Sequence, residues 1–440
     1  MKNIYLSNRF FLLFGAVILL FVLAFPFGFL FPVAQTVFVL AAAITVADGI
    51  QLFSKNVRLK VRRRLPKIFS LGDENQVTLE VTNLSPRALD LEIIDELPVQ
   101  FQRRDFSEEM HLLPNEQRKI AYGLTPTERG EYDFGAVNVF MKTKIGLLQR
   151  RWQHDYAMSI PVYPSVIQMK NFELRAFDRV TNQQGIKKIR RIGHSYEFEQ
   201  IKNYVRGDDV RSVNWKATGR RGTLMVNQYE DERAQQVYSI IDKSRAMKMP
   251  FDGLSLMDYA INTSLVISNI ALQKFDKAGL ITFSDKLGAT IKADRKANHL
   301  NKILQALYRE RERPTEANYE LLYQTARKLI KGRSLLMLYT NFESMYALDR
   351  VLPMLRRVNT LHLLVVVFFE NTEIRDFSEQ PAKELSDIYT QTVARRFLAE
   401  KAAMVQKLKQ YGIQAVLTAP EDLSVNTINK YLELKSRGLI

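Results

Sequence analysis

The sequence predicts a multi-domain protein: an N-terminal transmembrane α-helical hairpin, an immunoglobulin-like β-sandwich in the middle, and a C-terminal α/β doubly wound domain. Three observations lead there. The thirty-eight residues from Phe10 to Ala47 carry no charge. Residues 57–163 show short alternating runs separated by turn residues. Beyond residue 235, short apolar runs alternate with helical periodicity, the pattern of βαβ units. The expected boundaries are 1–54 for the hairpin, 55–165 for the sandwich, 166–234 for a segment packing on the last domain, and 235–440 for that domain.

Composition sets the outer limits. A chain of 440 residues allows two or three domains. There is no cysteine, which removes disulfides and thiolate chemistry. The net charge of +16 favours anionic partners, whether lipid headgroups, nucleic acid or an acidic protein, though it also serves plain solubility.

As one continuous helix, the uncharged stretch would be about 57 Å long, against a hydrocarbon core of roughly 30 Å. Tilt cannot absorb that excess. Pro26, Gly28 and Pro32 lie where a turn would sit, so two spanning helices are expected, near 9–26 and 31–53. Lys2 and Arg9 precede them; Lys55, Arg58, Lys60, Arg62, Arg63, Arg64 and Lys67 follow, with no acid among them. The positive-inside rule puts both ends in the cytoplasm, and the basic run could also rest on anionic lipid.

In the middle segment, Gln76–Val81 and Leu89–Ile94 alternate with period two. Turns are signalled at Gly72-Asp73, Asn83–Pro86, Leu113–Asn115 and Arg129-Gly130. His111 and His154 are isolated, and no catalytic set converges, so a spacer or docking module is expected.

In the last domain, Val237–Ile241, Leu280–Phe283, Leu335–Tyr339, Leu361–Phe369 and Gln414–Leu417 read as buried strands. Helical patterns fill the intervals. One runs over Leu256–Ala278 and stops at Gly279. Another carries Leu300, Ile303, Leu304 and Leu307, and a third Tyr319, Leu322, Ala326 and Leu329. A late one ends at Gly412.

There is no G-x-x-x-x-G-K-[ST] and no H-E-x-x-H, and Gly193–Glu197 lacks the second glycine of a nucleophile elbow. With five histidines and no cysteine, zinc ligands are scarce, and a non-enzymatic role is expected. The positive signal is Asp242-Lys243-Ser244 at the end of the first strand of the α/β domain, beside the crevice where open sheets bind ligands. It resembles the first loop of the von Willebrand factor A fold, where D-x-S-x-S, a threonine and an aspartate from further loops hold a divalent cation through oxygen ligands. The resemblance implies a degenerate Mg2+ site of Asp242, Ser244, Thr315 and Thr340. Ala246 replaces the second serine, and Thr340-Asn341-Phe342-Glu343 stands in place of Thr-Asp-Gly. Without a metal, Asp242, Ser244, Asn341 and Glu343 would form a partner-binding face.

The preceding block interleaves acids, bases and aromatics. Gly207-Asp208 suits a turn, with Asp208 or Asp209 capping a short helix that fades by Gly219. Arg206, Arg211, Lys216 and Arg220 are near enough to pair with those acids. An anchoring ion network and a docking face both fit. Together with Gly193, Glu197-Phe198, Tyr204, Gly207-Asp208-Asp209, Arg211, Asn214–Thr218 and Asp242-x-Ser244, the chain resembles the bacterial family known as domain of unknown function 58. Glu197, Tyr204, Gly207, Asp208, Asp209, Arg211, Trp215 and Lys216 are its structural signature here. Lys202 and Asn214 depart mildly from it. The resemblance implies a multi-pass inner-membrane protein with its soluble part cytoplasmic, acting as an adaptor beside a MoxR-type AAA+ ATPase. Its partners would be the phospholipid membrane and that ATPase, with no nucleic acid expected. The alternatives are a metal-dependent hydrolase using Asp242 and Glu343, and a lipid- or nucleic-acid-binding protein.

Overall fold

A computed structural model of the chain describes residues 3–54, 56–103, 106–165, 197–205, 208, 210–230, 234–381 and 384–439. It separates into two compact units, Met1–Ser165 and Val166–Ile440.

The first unit opens with a strand, β1 (Ile4–Leu6), followed by helices α1 (Asn8–Ala24) and α2 (Phe31–Leu52). A single 3-10 turn at Gly28–Leu30 joins them, and Pro32 sits in the first turn of α2, where its missing N–H costs nothing. Phe14 and Phe21 of α1 meet Phe38 of α2 edge to face. The hydroxyls of Thr36 and Thr45 donate to carbonyls four residues back, so both are satisfied within α2. Among the described residues, Gly28–Leu52 is the one helical stretch long and apolar enough to cross a membrane; Asn8–Ala24 is a shorter apolar helix.

Ten strands follow: β2 (Leu59–Arg64), β3 (Phe69–Ser70), β4 (Asn75–Asn83), β5 (Leu89–Asp95), β6 (Ser107–Leu112), β7 (Gln117–Leu124), β8 (Gly130–Phe134), β9 (Val137–Lys142), β10 (Leu148–His154) and β11 (Met158–Tyr163). They form a five-stranded sheet in the order β1-β10-β9-β5-β6 and two three-stranded sheets, β2-β4-β7 and β3-β11-β8. Alternate residues on β5 and β9 (Leu89, Leu91, Ile93; Val137, Val139, Met141) share one core with Leu59, Val61, Leu79 and Val81 of β2 and β4. The basic run after the hairpin is therefore itself a strand with two faces. Lys60, Arg62 and Arg64 point to solvent, but Arg63 does not, which corrects its expected place on a lipid surface. Its guanidinium is buried, bonded to Asp95 Oδ1 at 2.5 Å and to the carbonyls of Gly135 and Tyr156. Five donors in a fixed fork allow one arginine to satisfy three acceptors inside a core.

The flanks of both apolar helices are tied to the connection between β9 and β10. β1 pairs antiparallel with β10. Ser7 donates from its backbone to Leu147 O and from its hydroxyl to Gly146 O. At the far end of α2, fully buried Asp48 accepts from the Thr143 hydroxyl and from the backbone N–H groups of Leu147 and Leu148, both at 2.9 Å. A carboxylate can be dehydrated only against such a set of donors.

The second unit begins with an antiparallel hairpin, β12 (Glu197–Asn203) against β13 (Met225–Glu230), enclosing helix α3 (Trp215–Arg221). After it come β14 (Gln236–Asp242), the short pair β15 (Pro250–Phe251) and β16 (Leu254–Ser255), α4 (Leu256–Gln273), β17 (Lys277–Phe283), β18 (Leu287–Asp294), α5 (His299–Arg309), α6 (Tyr319–Leu329), β19 (Leu335–Tyr339), α7 (Met345–Leu361), β20 (Leu363–Phe369), α8 (Thr372–Glu379), α9 (Leu385–Gln410), β21 (Gln414–Thr418) and α10 (Leu423–Ser436). The sheet order is β18-β17-β14-β19-β20-β21, parallel except for the edge strand β18. Period-two alternation sorts β14 onto two cores. Val237 and Ile241 pack with α4, α5 and α10, while Tyr238 and Ile240 pack with α6, α7 and α9.

Some local expectations need correction. Helix α4 ends at Gln273, not at Gly279. The chain turns through Phe275 at φ 61°, and Gly279 lies within β17. Glycine is required there because a Cβ would meet the Tyr238 ring at 2.4 Å. Leu361 closes α7 and does not open a strand. The cap of the signature helix is Asn214, whose side chain accepts from Ala217 N, and not Asp208; Asp209, the other expected cap, lies outside the described residues. The helix passes Gly219 and stops at Gly222, φ 68°.

Candidate functional site at the carboxyl ends of the sheet

From β14 the chain runs outward to β17 and β18, then returns to β19 on the other side of β14 and continues to β20 and β21. The order therefore reverses between β14 and β19. That is the topological switch point, where an open α/β sheet leaves a crevice. Asp242 closes β14, and Thr340 follows β19 directly.

The structure closes this crevice from within. Asp242 is 1% exposed, which corrects its expected presentation on an open face. Its Oδ1 accepts from Ser244 N at 2.8 Å, and its Oδ2 accepts from the Thr340 hydroxyl at 2.7 Å. The phenol of Tyr319, brought in by the first turn of α6, lies 2.7 Å from Thr340 Oγ1 and 3.5 Å from Asp242 Oδ2. Ser244 and Thr340 are themselves buried. Burial pushes the Asp242 carboxyl above the usual carboxylate range, against the lowering pull of the Ser244, Thr340 and Tyr319 hydrogen bonds. Burial beside that acid likewise pushes the Tyr319 phenol up.

Thr315 does not join this group. Its hydroxyl donates to Asp285 Oδ1 at 2.9 Å, at the end of β17. There Thr315, Ser284 and Arg313 together hold the half-buried Asp285 carboxyl down to about 2. Asn341 bridges, with its amide on Ala246 O at 3.4 Å and its Oδ1 receiving Lys401 Nζ at 2.7 Å. Glu343 is exposed. The proposed ligand set is thus divided between two acids. One carboxylate with both oxygens engaged, a threonine committed elsewhere and an alanine at position 246 do not fit a hard divalent cation, which takes six or more oxygens. Among the described residues no three histidines, aspartates or glutamates converge as metal ligands.

Two participants escaped the sequence. Tyr319 looked like one more member of an apolar helical stripe. Lys401, on α9, is 2% exposed, donates to Asn341 Oδ1 and the Phe342 carbonyl, and lies over the Phe368 and Phe397 rings. Burial lowers its ammonium to about 8, while Glu343 and Glu400 pull the other way. No spacing rule links residue 401 to residue 341.

What remains open at this end of the sheet is a charged rim. Arg245 and Arg350 both bind the exposed Glu316, at 3.1 and 2.9 Å, and Tyr346 is exposed beside Arg350 in α7. Elsewhere, Lys202 pairs with Asp208 at 2.8 Å, and Asp208 also accepts from Val205 N, which accounts for its lowered carboxyl. Tyr204 is tied by its backbone to Leu224 O, and Arg211, Trp215 and Lys216 are exposed. Gly193 to Tyr196, Arg206, Gly207, Asp209 and the Glu197 side chain lie outside the described residues, as do Lys2 and Lys55.

Comparisons with known proteins bear on the family more than on the site. The CARDB domain of the PF1109 protein of Pyrococcus furiosus, solved in complex with di-metal ions, is 14% identical at a TM-score of 0.19, over 24% of this chain and 90% of its own. PapD-like domain 7 of human CEP192 is 14% identical at a TM-score of 0.19, over 25% of this chain and 88% of its own. At these scores neither likeness carries an argument. A Bacillus subtilis (strain 168) relative, named uncharacterized protein YeaD, is 25% identical over 124 residues, 28% of this chain and 31% of that relative, so the chain spans under a third of its length. Residues 200–392, holding the signature hairpin and most of the α/β sheet, match the model of the family described as Protein of unknown function DUF58, which supports the family that the sequence resembles.

Proposed function

We propose that this chain is a membrane-anchored, non-catalytic adaptor of that family. In this reading α1 and α2 span the bacterial inner membrane as a hairpin, with both flanks cytoplasmic. The middle unit is an immunoglobulin-like spacer, and the last domain is von Willebrand factor A-like and captures a MoxR-type AAA+ ATPase. One observation carries the non-catalytic part: the acid at the switch point spends both oxygens on Ser244, Thr340 and Tyr319, so it offers neither a general base nor a metal ligand to a substrate. Recognition then falls to the exposed rim of Arg245, Glu316, Tyr346 and Arg350, whose charges can steer and orient a partner. The Gly28–Leu52 helix and the cation-rich flanks support the membrane part.

The test is capture of the ATPase from solubilised membranes. Arg245→Glu with Arg350→Glu should lower capture about tenfold or more, as charge reversal at an interface does, while Asp242→Asn captures like the wild type. Equal capture by all three proteins would remove the rim from the interface.

A further inference from the structure

The signature hairpin holds a feature that the switch-point crevice does not use. Trp215 is 72% exposed at the start of α3, and Val205, Val210 and Leu224 are exposed at 62%, 67% and 49% in the segments that flank it. Four large apolar side chains left in water within twenty residues are more than the scattered exposure of an ordinary surface. The helix itself is two-sided. At about 100° per residue, Trp215, Lys216, Gly219 and Arg220 share one arc. Ala217 and Thr218 fall outside that arc and are half-buried, with Thr218 Oγ1 accepting from Met225 N at 3.0 Å to fix the helix against β13. The outward arc thus presents an indole at one edge with a lysine and an arginine further round it, while Arg221, exposed in the last turn, lies outside that arc. Among the described residues from 201 to 227 the only acid is Asp208, and Lys202 already holds it.

We infer that the outward face of α3, which carries Trp215, Lys216 and Arg220, docks on the surface of an anionic phospholipid bilayer. Two properties favour lipid over a protein partner. An indole is most at home at the headgroup level, where its ring is half-dry and its N–H is wet. Cations that meet no further acid among the described residues from 201 to 227 match an anionic plane better than the mixed charges of a protein surface. The chain also carries an apolar helix fit to cross a bilayer, so such a surface is within its reach. The inference rests on the membrane-anchored reading above, and it adds a second, peripheral contact to the anchor.

The sequence supplies the probe, since there are only two tryptophans, Trp152 and Trp215. The full chain bearing Trp152→Phe is placed in lipid nanodiscs made of phosphatidylcholine alone or with added phosphatidylglycerol, the acyl chains brominated to quench nearby indole. Trp215 emission should shift to the blue and fall about twofold in the anionic discs only, recovering as salt is raised. Lys216→Glu with Arg220→Glu should abolish the quenching. The difference between wild type and Trp215→Phe reads the same signal if Trp152→Phe perturbs its sheet. Unquenched, water-accessible Trp215 in both discs overturns the inference. So does a Trp215 shielded equally in both, which would assign the face to protein. A chain that floats with no vesicle of either composition contradicts the anchored reading as well; one that floats with Trp215 unquenched contradicts this inference alone.

Discussion

The Thr340 hydroxyl donates to the Asp242 carboxylate over 2.7 Å, across 98 positions of sequence and from just beyond the end of the neighbouring strand. That bond closes the switch point of the sheet. Thr340→Val would leave a buried carboxylate short of a donor, at a cost of about 1–3 kcal/mol in thermal or denaturant unfolding. Asp242→Asn should behave differently. Because the folded carboxyl is raised, the native state holds its proton more tightly than the unfolded chain. Its contribution is therefore full below the ordinary carboxylate range and is lost as pH rises through the folded value. Unfolding followed from acid to neutral pH should show the wild type losing stability relative to Asp242→Asn. A parallel pair of curves would mean that this acid does not titrate with folding.

Lys401 gives the opposite slope at the alkaline end. Its folded value of about 8 lies below that of a free lysine, so between about 8 and 10.5 the unfolded chain binds more protons than the native one. Stability from this group should rise across that window, by at most ~3 kcal/mol. Lys401→Met should lack the rise and be the weaker protein at the alkaline end, where the burial cost of the charge is gone and Asn341 Oδ1 and the Phe342 carbonyl still lose their donor. Denaturation midpoints measured from pH 7 to 10 distinguish the two curves.

In the first unit, Asp48 receives Thr143, Leu147 and Leu148 at the end of α2. Asp48→Ala orphans the buried N–H of Leu147 and the partly buried N–H of Leu148 and should destabilise this unit by about 2–4 kcal/mol. Thr143→Val removes one donor of three and should cost less. Protease cutting near Lys144–Leu148 in detergent should speed up in the same order, and equal rates would show that the contact fastens nothing.

Much of the architecture was legible because period-two and period-3.6 patterns are local. The five parallel strands could be read from runs such as Val237–Ile241, and the two apolar helices from an uncharged stretch broken by Pro26 and Pro32. What failed was set by distant contacts. Gly279 read as a helix stop, but it is small because Tyr238 lies across the neighbouring strand. Arg63 read as one cation in a lipid-facing run, but Asp95, 32 residues on, draws it inside. Strand β1 and the edge strand β18 were unread, being too short and too polar respectively to show a buried pattern. At the candidate site, the D-x-S motif points to Asp242 and Ser244, and the structure brings the Thr340 hydroxyl to that acid. Thr315 reaches Asp285 instead, and sequence order cannot tell which of two strand-end acids a loop hydroxyl will reach.

Asp242 is satisfied from within the chain, and titration of Mg2+ and Mn2+ into the full-length protein by calorimetry tests that most directly. No saturable heat is predicted at millimolar metal, with Asp242→Asn giving the same trace as wild type. Saturable binding that disappears in Asp242→Asn would contradict it and return the crevice to metal chemistry.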